Sequence, residues 1–159
     1  SWGAPAEEMP LEAWQKVLNV NVTGTFLMSQ AAGRVMLEQR SGKIINIASV
    51  AGLKGSNPKV MDAIGYNASK GAVITFTKDL AAKWGPRGIY VNAIAPGFFP
   101  TKMSKGLLEK GGQAILEGTP LRKFGSDTDL KGVAVFLAAS ASDYITGDVV
   151  VVDGGTHVL

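Results

Sequence analysis

Ile44-Ile45-Asn46-Ile47-Ala48 is a short apolar segment that lies between turn-forming residues and is followed at once by Ser49. A continuous apolar run of this kind is typical of a strand covered on both faces. Two similar runs follow, at Ile89–Ile94 and at Val149–Val152. Segments with helical spacing separate the three runs. Strand and helix therefore alternate, which predicts an α/β fold with parallel strands and right-handed crossovers.

The segment before the first strand has a helical pattern from Pro10 to about Arg40. Pro10 suits a first helical position, and Ser41-Gly42 suits the exit. The middle of this segment, Asn19–Gly24, consists of β-branched residues, Asn and Gly, which are poor helix formers. The sequence therefore predicts a kink or a local widening of the helix there.

The rest of the chain divides in the same way. We expect a loop at Gly52–Gly65 and a helix at Tyr66–Trp84. A Gly-rich stretch with a short helix follows at Thr101–Gly125, and a last helix at Asp127–Ala139. Ser126, Asp127 or Thr128 is a candidate cap for the last helix. In parallel sheets of this type, ligands bind beyond the carboxyl ends of the strands. Ser49, Pro96-Gly97 and Asp153-Gly154 follow the three strands.

Composition bounds the possible functions. The 159 residues fit one domain, 1–159, with 46% hydrophobic and 18% charged residues. The absence of cysteine removes disulfides and thiolate chemistry, and fits a cytoplasmic setting. A single histidine, His157, which we expect at the surface, makes a His-rich metal site or a Ser–His–Asp triad hard to build, so no metal is expected. The net charge is only +3 and the basic residues are scattered along the sequence, so nucleic acid is not an expected partner. No apolar run reaches membrane-spanning length, so a membrane is not expected either.

Tyr66-Asn67-Ala68-Ser69-Lys70 opens the second long helix. A Tyr and a Lys four residues apart lie on the same helical face, with about 5–6 Å between their β-carbons. A positive charge at that distance stabilises a phenolate, which makes the phenol a candidate for proton transfer near neutral pH. Alone, the pair is weak evidence for this function, because many helices expose a Lys and half-bury a Tyr. It gains weight from Asn21 and Ser49, which precede it.

Several segments together resemble the second half of the short-chain dehydrogenase/reductase family, in the right order and spacing. They are Asn19–Gly24, Ile45–Ser49, Tyr66–Lys70, Val91–Gly97 with Thr101, and the closing Ile145–Gly147 and Asp153–Gly155. The resemblance covers nearly all of the chain. The residues of these motifs most resemble those of gluconate 5-dehydrogenases and 3-oxoacyl-carrier-protein reductases. It implies the second half of a Rossmann-like, doubly wound parallel sheet, with three strands and flanking helices.

The resemblance implies a role for each candidate residue. Tyr66 is expected to be the general acid/base of a reaction that interconverts a secondary alcohol and a ketone. Lys70 would assist Tyr66 and bind the nicotinamide ribose. Ser49 would donate a hydrogen bond to the substrate carbonyl. Asn21 would hold the helix irregularity and a water molecule of the proton relay.

The cofactor is expected to be NAD or NADP. Pro96, Gly97, Phe99 and Thr101 map to the loop that binds the nicotinamide carboxamide, beside Tyr66 and Lys70. For Pro96-Gly97, an ordinary turn after a strand is the alternative. The substrate is narrowed to a polyol, a sugar acid or a β-ketoacyl compound.

The family's pattern begins with a strand, a glycine-rich phosphate loop and an Asn-Asn-Ala-Gly segment, and none of these is in this sequence. The chain opens with Ser1-Trp2-Gly3 and has no initiator Met. We therefore expect a carboxyl-terminal part of such an enzyme, without its amino-terminal nucleotide-binding half. The residues that would choose between NAD and NADP would lie in that half.

Two alternatives to this function stay open, and two groups of residues have two interpretations each. The first alternative is a non-catalytic fragment that retains only packing and oligomerisation. The second, much less favoured, is a sugar-nucleotide epimerase, which shares the Tyr/Lys pair. A group of basic residues around the presumed substrate loop favours an acidic substrate or is merely a solvated face; it comprises Lys102, Lys105, Lys110, Arg122 and Lys123. Four aromatic residues at helical spacing belong to the core or to a homodimer or homotetramer interface; they are Trp14, Phe26, Phe76 and Trp84.

Overall fold

A computed structural model describes residues 2–159; Ser1 lies outside the described residues. The sheet has three strands, β1 (Gly42–Ile47), β2 (Ile89–Pro96) and β3 (Val149–Val152), in the order β1-β2-β3. Both strand pairs are parallel, as the alternation of strand and helix predicts. The helices are α1 (Leu11–Leu18), α2 (Gly24–Gln39), α3 (Ile64–Trp84), α4 (Lys105–Glu117) and α5 (Lys131–Ala138).

The central strand β2 is the best buried part of the chain. Ile89, Val91, Ala93 and Ala95 have no exposed surface. Helix α3 packs on this strand through Val73 and Leu80 among other residues. Because β1 and β2 pair in register from Gly42 with Ile89 to Ile47 with Ile94, their carboxyl ends lie side by side.

The widening predicted for Asn19–Gly24 is present. Residues Asn19–Thr23 form a π-helical turn that joins α1 to α2 without a break. Such turns are rare and frequently occur at functional sites. The Thr25 hydroxyl donates a hydrogen bond of 2.7 Å to the Asn21 carbonyl, which gives that carbonyl a partner within the irregular turn.

Several predicted boundaries are wrong by a few residues. Pro10 is the cap before α1 and not its first helical residue. The helix α2 ends through Arg40, which takes the left-handed conformation with φ of 53°, so Gly42 is free to begin β1. Helix α3 begins at Ile64, which places Tyr66 in its first turn.

The carboxyl-terminal helices also differ from the prediction. The helix expected to be short, α4, has 13 residues. None of the three predicted caps stands at the start of α5, because Leu130 occupies the cap position. Instead, Asp129 accepts hydrogen bonds from the Ser126 N–H and hydroxyl, both at 2.8 Å, and these bonds lower the pKa of the Asp129 carboxyl. In residues 2–159, no helix is long and apolar enough to cross a membrane.

Candidate active site

Tyr66 and Lys70 lie together on the first turns of α3, beside the carboxyl end of β1. The Lys70 Nζ atom is 5.6 Å from the centre of the Tyr66 ring. At this distance an ammonium is attracted to the face of an aromatic ring. The same Nζ donates a hydrogen bond of 2.8 Å to the Ile47 carbonyl, the last residue of β1. Strand and helix together therefore hold the ammonium next to the phenol.

Lys70 is partly buried, and this changes its electrostatics. Desolvation lowers the pKa of the Lys70 ammonium below its ordinary value. Its partner at Ile47 is a neutral carbonyl, which accepts a hydrogen bond but supplies no negative charge. The Ile47 carbonyl thus leaves the positive charge of the Lys70 ammonium uncompensated.

Ser49 is buried, with 8% of its surface exposed, and it follows β1 by two residues. Its hydroxyl accepts a hydrogen bond of 3.2 Å from the Ala51 N–H and so caps the 3₁₀ turn Val50–Gly52. The hydroxyl proton is not used in that bond, so the Ser49 hydroxyl retains a donor for another group.

Gly52 sets the distance between the Ser49 turn and α3. A Cβ atom on Gly52 would lie 2.5 Å from the Lys70 carbonyl carbon and 2.6 Å from the Gly71 nitrogen. Only a residue without a side chain allows this approach. The missing Cβ therefore brings the turn that carries Ser49 against the backbone of Lys70.

Asn21 reaches the site through a residue that the sequence reasoning missed. The Asn21 Nδ2 atom donates a hydrogen bond of 2.9 Å to the hydroxyl of Ser69, which in turn donates one of 2.7 Å to the Tyr66 carbonyl. Ser69 is fully buried. Its position three residues after Tyr66, on the same helical face, is the signal in the sequence that could have identified it.

Pro96 and Gly97 lie at the carboxyl end of the central strand. Pro96 pairs with Val152 of β3, and the Gly97 N–H donates a hydrogen bond of 2.9 Å to the Val152 carbonyl. A Cβ atom on Gly97 would be 2.6 Å from the Asp153 Cβ. The strand-exit turn is therefore tightly packed against the end of β3. Its neighbour on the other side is the end of β1, because the Ala48 N–H donates to the Ile94 carbonyl at 2.8 Å.

Phe99 and Thr101 make their contacts within the segment that leads to α4. The Ser104 hydroxyl donates to the Phe99 carbonyl at 2.5 Å and lies 3.1 Å from the Thr101 hydroxyl. The Phe99 ring packs on Gly125, where a Cβ would lie 2.2 Å from the ring. Phe99 and Thr101 thus share a partner, Ser104. In the other group Asn21 is linked to Tyr66 through Ser69, and the turn that follows Ser49 approaches Lys70 through Gly52.

Two recesses border these groups. One, of about 560 Å³, is lined by Asn21 and by residues of α1 and the preceding segment, Trp2 and Val17 among them. The other, of about 190 Å³, lies between the ends of β2 and β3 and is lined by Phe98, Phe99 and Asp153 among others. Asn21 therefore borders the larger recess, and the Phe99 segment borders the smaller one.

The chain is similar in sequence to known proteins over nearly its whole length. A family model described as Enoyl-(Acyl carrier protein) reductase matches residues 2–157. The 2-dehydro-3-deoxy-D-gluconate 5-dehydrogenase of Bacillus subtilis is 46% identical over 152 residues, covering 94% of this chain and 58% of that protein. A 3-oxoacyl-(acyl-carrier-protein) reductase of Aquifex aeolicus is 44% identical over 147 residues, covering 92% of this chain and 58% of that protein.

A solved structure shows the same fold. A gluconate 5-dehydrogenase from Burkholderia cenocepacia, solved in complex with NADP and tartrate, superimposes with a TM-score of 0.94 at 34% identity, covering 99% of this chain and 61% of that one. The chain belongs to the short-chain dehydrogenase/reductase family. It spans about three fifths of the length of the curated relatives that it matches.

Proposed function

We propose that the protein is an NAD(P)-dependent oxidoreductase that interconverts a secondary alcohol and a ketone, with Tyr66 as general acid/base. The observation that carries the proposal is the Lys70 ammonium, held 5.6 Å from the Tyr66 ring by its bond to the Ile47 carbonyl. In the proposed reaction Tyr66 gives its proton to a ketone, and this arrangement keeps a positive charge beside the side chain that gives it. The cytoplasmic setting expected of a cysteine-free chain is part of the same proposal.

The residues present fit the nicotinamide part of such a cofactor. An ammonium has three N–H donors, and the Ile47 carbonyl takes one, so Lys70 retains donors for the hydroxyls of a ribose. Pro96 and Gly97 stand at the strand end next to β1, with Phe99 and Thr101 following, as expected for the carboxamide side. The cofactor, when bound, supplies or accepts the hydride. NADP in the Burkholderia relative supports this assignment.

Each site residue then has a defined task in the proposed reaction. Ser49 donates its hydroxyl proton to the substrate oxygen as negative charge develops there. Tyr66 gives a proton to that oxygen in reduction and takes it back in oxidation. Asn21 fixes the π-helical turn against α3 through its bond to Ser69. The relatives' names favour a sugar acid or a β-ketoacyl compound as substrate.

Replacing Tyr66 with phenylalanine tests the proposal. We expect turnover to fall by about 10²–10⁴-fold with loss of the proton donor, while NADPH binding, followed by nicotinamide fluorescence, is retained. A keto sugar acid and a β-ketoacyl thioester are the substrates to screen. Tyr144→Phe is the matched control, because the Tyr144 side chain is fully exposed. Undiminished turnover by Tyr66→Phe would remove Tyr66 from its role.

A non-catalytic chain that only packs or oligomerises is the second candidate. The observation that favours it is the position of β1 at the edge of the sheet, with β2 as its one neighbour among residues 2–159 and Ile47 55% exposed. Such an edge pairs readily with another strand. Titration with NADH and NADPH distinguishes the two candidates: saturable binding favours the enzyme, and a folded protein that binds neither favours the second candidate.

We also propose that the protein forms a homodimer or homotetramer through α2. Three apolar side chains on this helix, Leu27, Met28 and Val35, are each more than half exposed. Phe26 meets Phe76 of α3 edge to face at 6.4 Å and links the exposed row to the fold. Exposed apolar surface of this kind marks an interface. Sedimentation equilibrium tests the proposal, and a monomer at micromolar concentration contradicts it.

A further inference from the structure

The segment Leu53–Ala63 connects the two hydroxyl-bearing residues of the site. It follows the turn that Ser49 caps, and it ends directly before α3, whose third residue is Tyr66. Most of its residues are exposed. Because Ser49 precedes the segment and Tyr66 follows it, the conformation of the segment bears directly on any substrate placed between these two residues.

Ser56 is the exception in the exposed half of this segment. Among Leu53–Lys59 it alone is partly buried, and its hydroxyl accepts a hydrogen bond of 2.8 Å from the Asn67 Nδ2 atom. Asn67 directly follows Tyr66 on α3. The bond therefore ties the middle of the segment to the helical turn that carries the phenol.

The other contacts of the segment lie elsewhere. Asn57 accepts bonds from the N–H groups of Lys59, Val60 and Met61, which shape a local turn. The Asp62 carbonyl accepts the Ala4 N–H at 3.0 Å, close to the start of α3. Lys54 donates to carbonyls of the carboxyl-terminal turn. The Asn67–Ser56 bond is thus the side-chain tie between Leu53–Lys59 and α3 in residues 2–159.

Only the nitrogen of the Asn67 carboxamide has a hydrogen-bond partner within residues 2–159. Its Oδ1 atom is sealed from solvent and has no hydrogen-bond partner within residues 2–159. A buried acceptor without a partner destabilises a fold, and each such group calls for an explanation. An alanine would avoid that penalty and would suit the helix better. The carboxamide is therefore less favourable for the stability of the fold than alanine would be, and its side-chain hydrogen bond is with Ser56.

We propose that Asn67 is a positioning residue that holds the segment Leu53–Ala63 against α3, and so sets how well the substrate is held beside Tyr66; this rests on the proposed function. Asn67 acts through Ser56 and does not touch the reacting atoms. Loss of the bond opens the segment and raises KM for the ketone or alcohol. The proton transfer at Tyr66 and hence kcat are left nearly unchanged.

Limited trypsin digestion tests the contact without any need for turnover. Cleavage after Lys59, followed by mass spectrometry, reports opening of the segment. We expect Asn67→Ala and Ser56→Ala each to accelerate this cleavage by about three- to tenfold, the size of one lost hydrogen bond. The double variant should be no faster than either single variant, because both remove the same bond. Ser56→Thr keeps the hydroxyl and should restore the slow rate. Cleavage after Lys102, on the segment before α4, is the internal control.

Two further readouts separate positioning from a general structural role. The urea midpoint of Asn67→Ala should not fall, because the variant also removes the unpaired Oδ1. In the active protein, Asn67→Ala should raise KM by about three- to tenfold with kcat within about twofold. Unchanged cleavage after Lys59, independent effects in the double variant, a lower urea midpoint, or a fall in kcat at constant KM would each overturn the proposal. If the protein has no turnover, the proposed function is refuted, and so is the proposed effect of Asn67 on substrate binding. The trypsin cleavage of the single and double variants still decides whether the Asn67–Ser56 bond holds the segment.

Discussion

Replacing Gly52 with alanine tests the contact that brings Ser49 next to Lys70. The added Cβ would lie 2.5 Å from the Lys70 carbonyl carbon and 2.6 Å from the Gly71 nitrogen, whereas ordinary contact begins near 3.4 Å. The two segments must therefore separate by 3.4 − 2.5, about 0.9 Å. Both obstructing atoms belong to the backbone, so no side chain can rotate away. We expect the variant to lose about 1–3 kcal/mol of unfolding free energy, as overpacked interiors do.

The same displacement should affect catalysis, because it moves the Ser49 turn away from the Tyr66–Lys70 turn. A misplacement of about 1 Å at a catalytic group can reduce the rate by about 10²-fold. Urea unfolding followed by circular dichroism measures the first effect, and kcat/KM measures the second. We expect both to change in Gly52→Ala.

Gly71→Ala is the matched control on the opposite side of the contact. Its Cβ would lie 3.5 Å from the Gly52 carbonyl oxygen, an ordinary distance, and alanine in a helix interior is favoured over glycine by about 0.5–1 kcal/mol. Gly55→Ala, with nothing within 4 Å of its Cβ, should be neutral. The reasoning is refuted if Gly52→Ala unfolds like the unsubstituted protein with full turnover, or if Gly52→Ala and Gly71→Ala change stability by the same amount.

Two further predictions concern α3. Ser69→Ala should lower the unfolding free energy by about 1–3 kcal/mol, because it leaves the Asn21 amide without a partner; urea titration measures the loss, and Asn21→Ala combined with it should add little. Lys70→Met should gain stability relative to the unsubstituted protein at pH 7 compared with pH 10, because burial lowers the pKa of Lys70 and the fold therefore disfavours its charged form. This cost is present below the folded pKa and disappears as pH rises toward 10.5, so the urea midpoint of Lys70→Met minus that of the unsubstituted protein should fall between pH 7 and pH 10; a difference that rises with pH would contradict the reasoning.

Local patterns were sufficient to predict the architecture of the chain. Three apolar runs separated by helical segments predict three parallel strands, since each run can be assigned without reference to the others. The irregular turn at Asn19–Thr23 was also predictable, because it follows from the low helix propensity of consecutive β-branched and Asn residues. The Tyr66–Lys70 contact follows from helical spacing alone.

The remaining features depend on contacts between distant segments, which a single sequence does not display. Ser69 gains its role from Asn21, 48 residues earlier, and Gly52 gains its role from the backbone at Lys70. The start of α5 was misjudged for a related reason. Ser126 donates a hydrogen bond to Asp129, and this bond forms a turn before the helix. The expected capping residues therefore lie in that turn and not at the cap position of α5.

Three contacts, two of them hydrogen bonds and one a close backbone approach, hold the first two turns of α3, and together they explain how a short segment can carry a precise site. Asn21 reaches the helix by hydrogen bonds through Ser69, β1 reaches it through the Lys70 ammonium, and the Ser49 turn reaches it by the close approach of Gly52. A hydrogen bond alone contributes only about 0.5–1.5 kcal/mol. Because the three contacts come from three different segments of the chain, they hold this part of the helix at three points. In the proposed function these contacts fix the position of Tyr66, as a pre-organised proton donor requires.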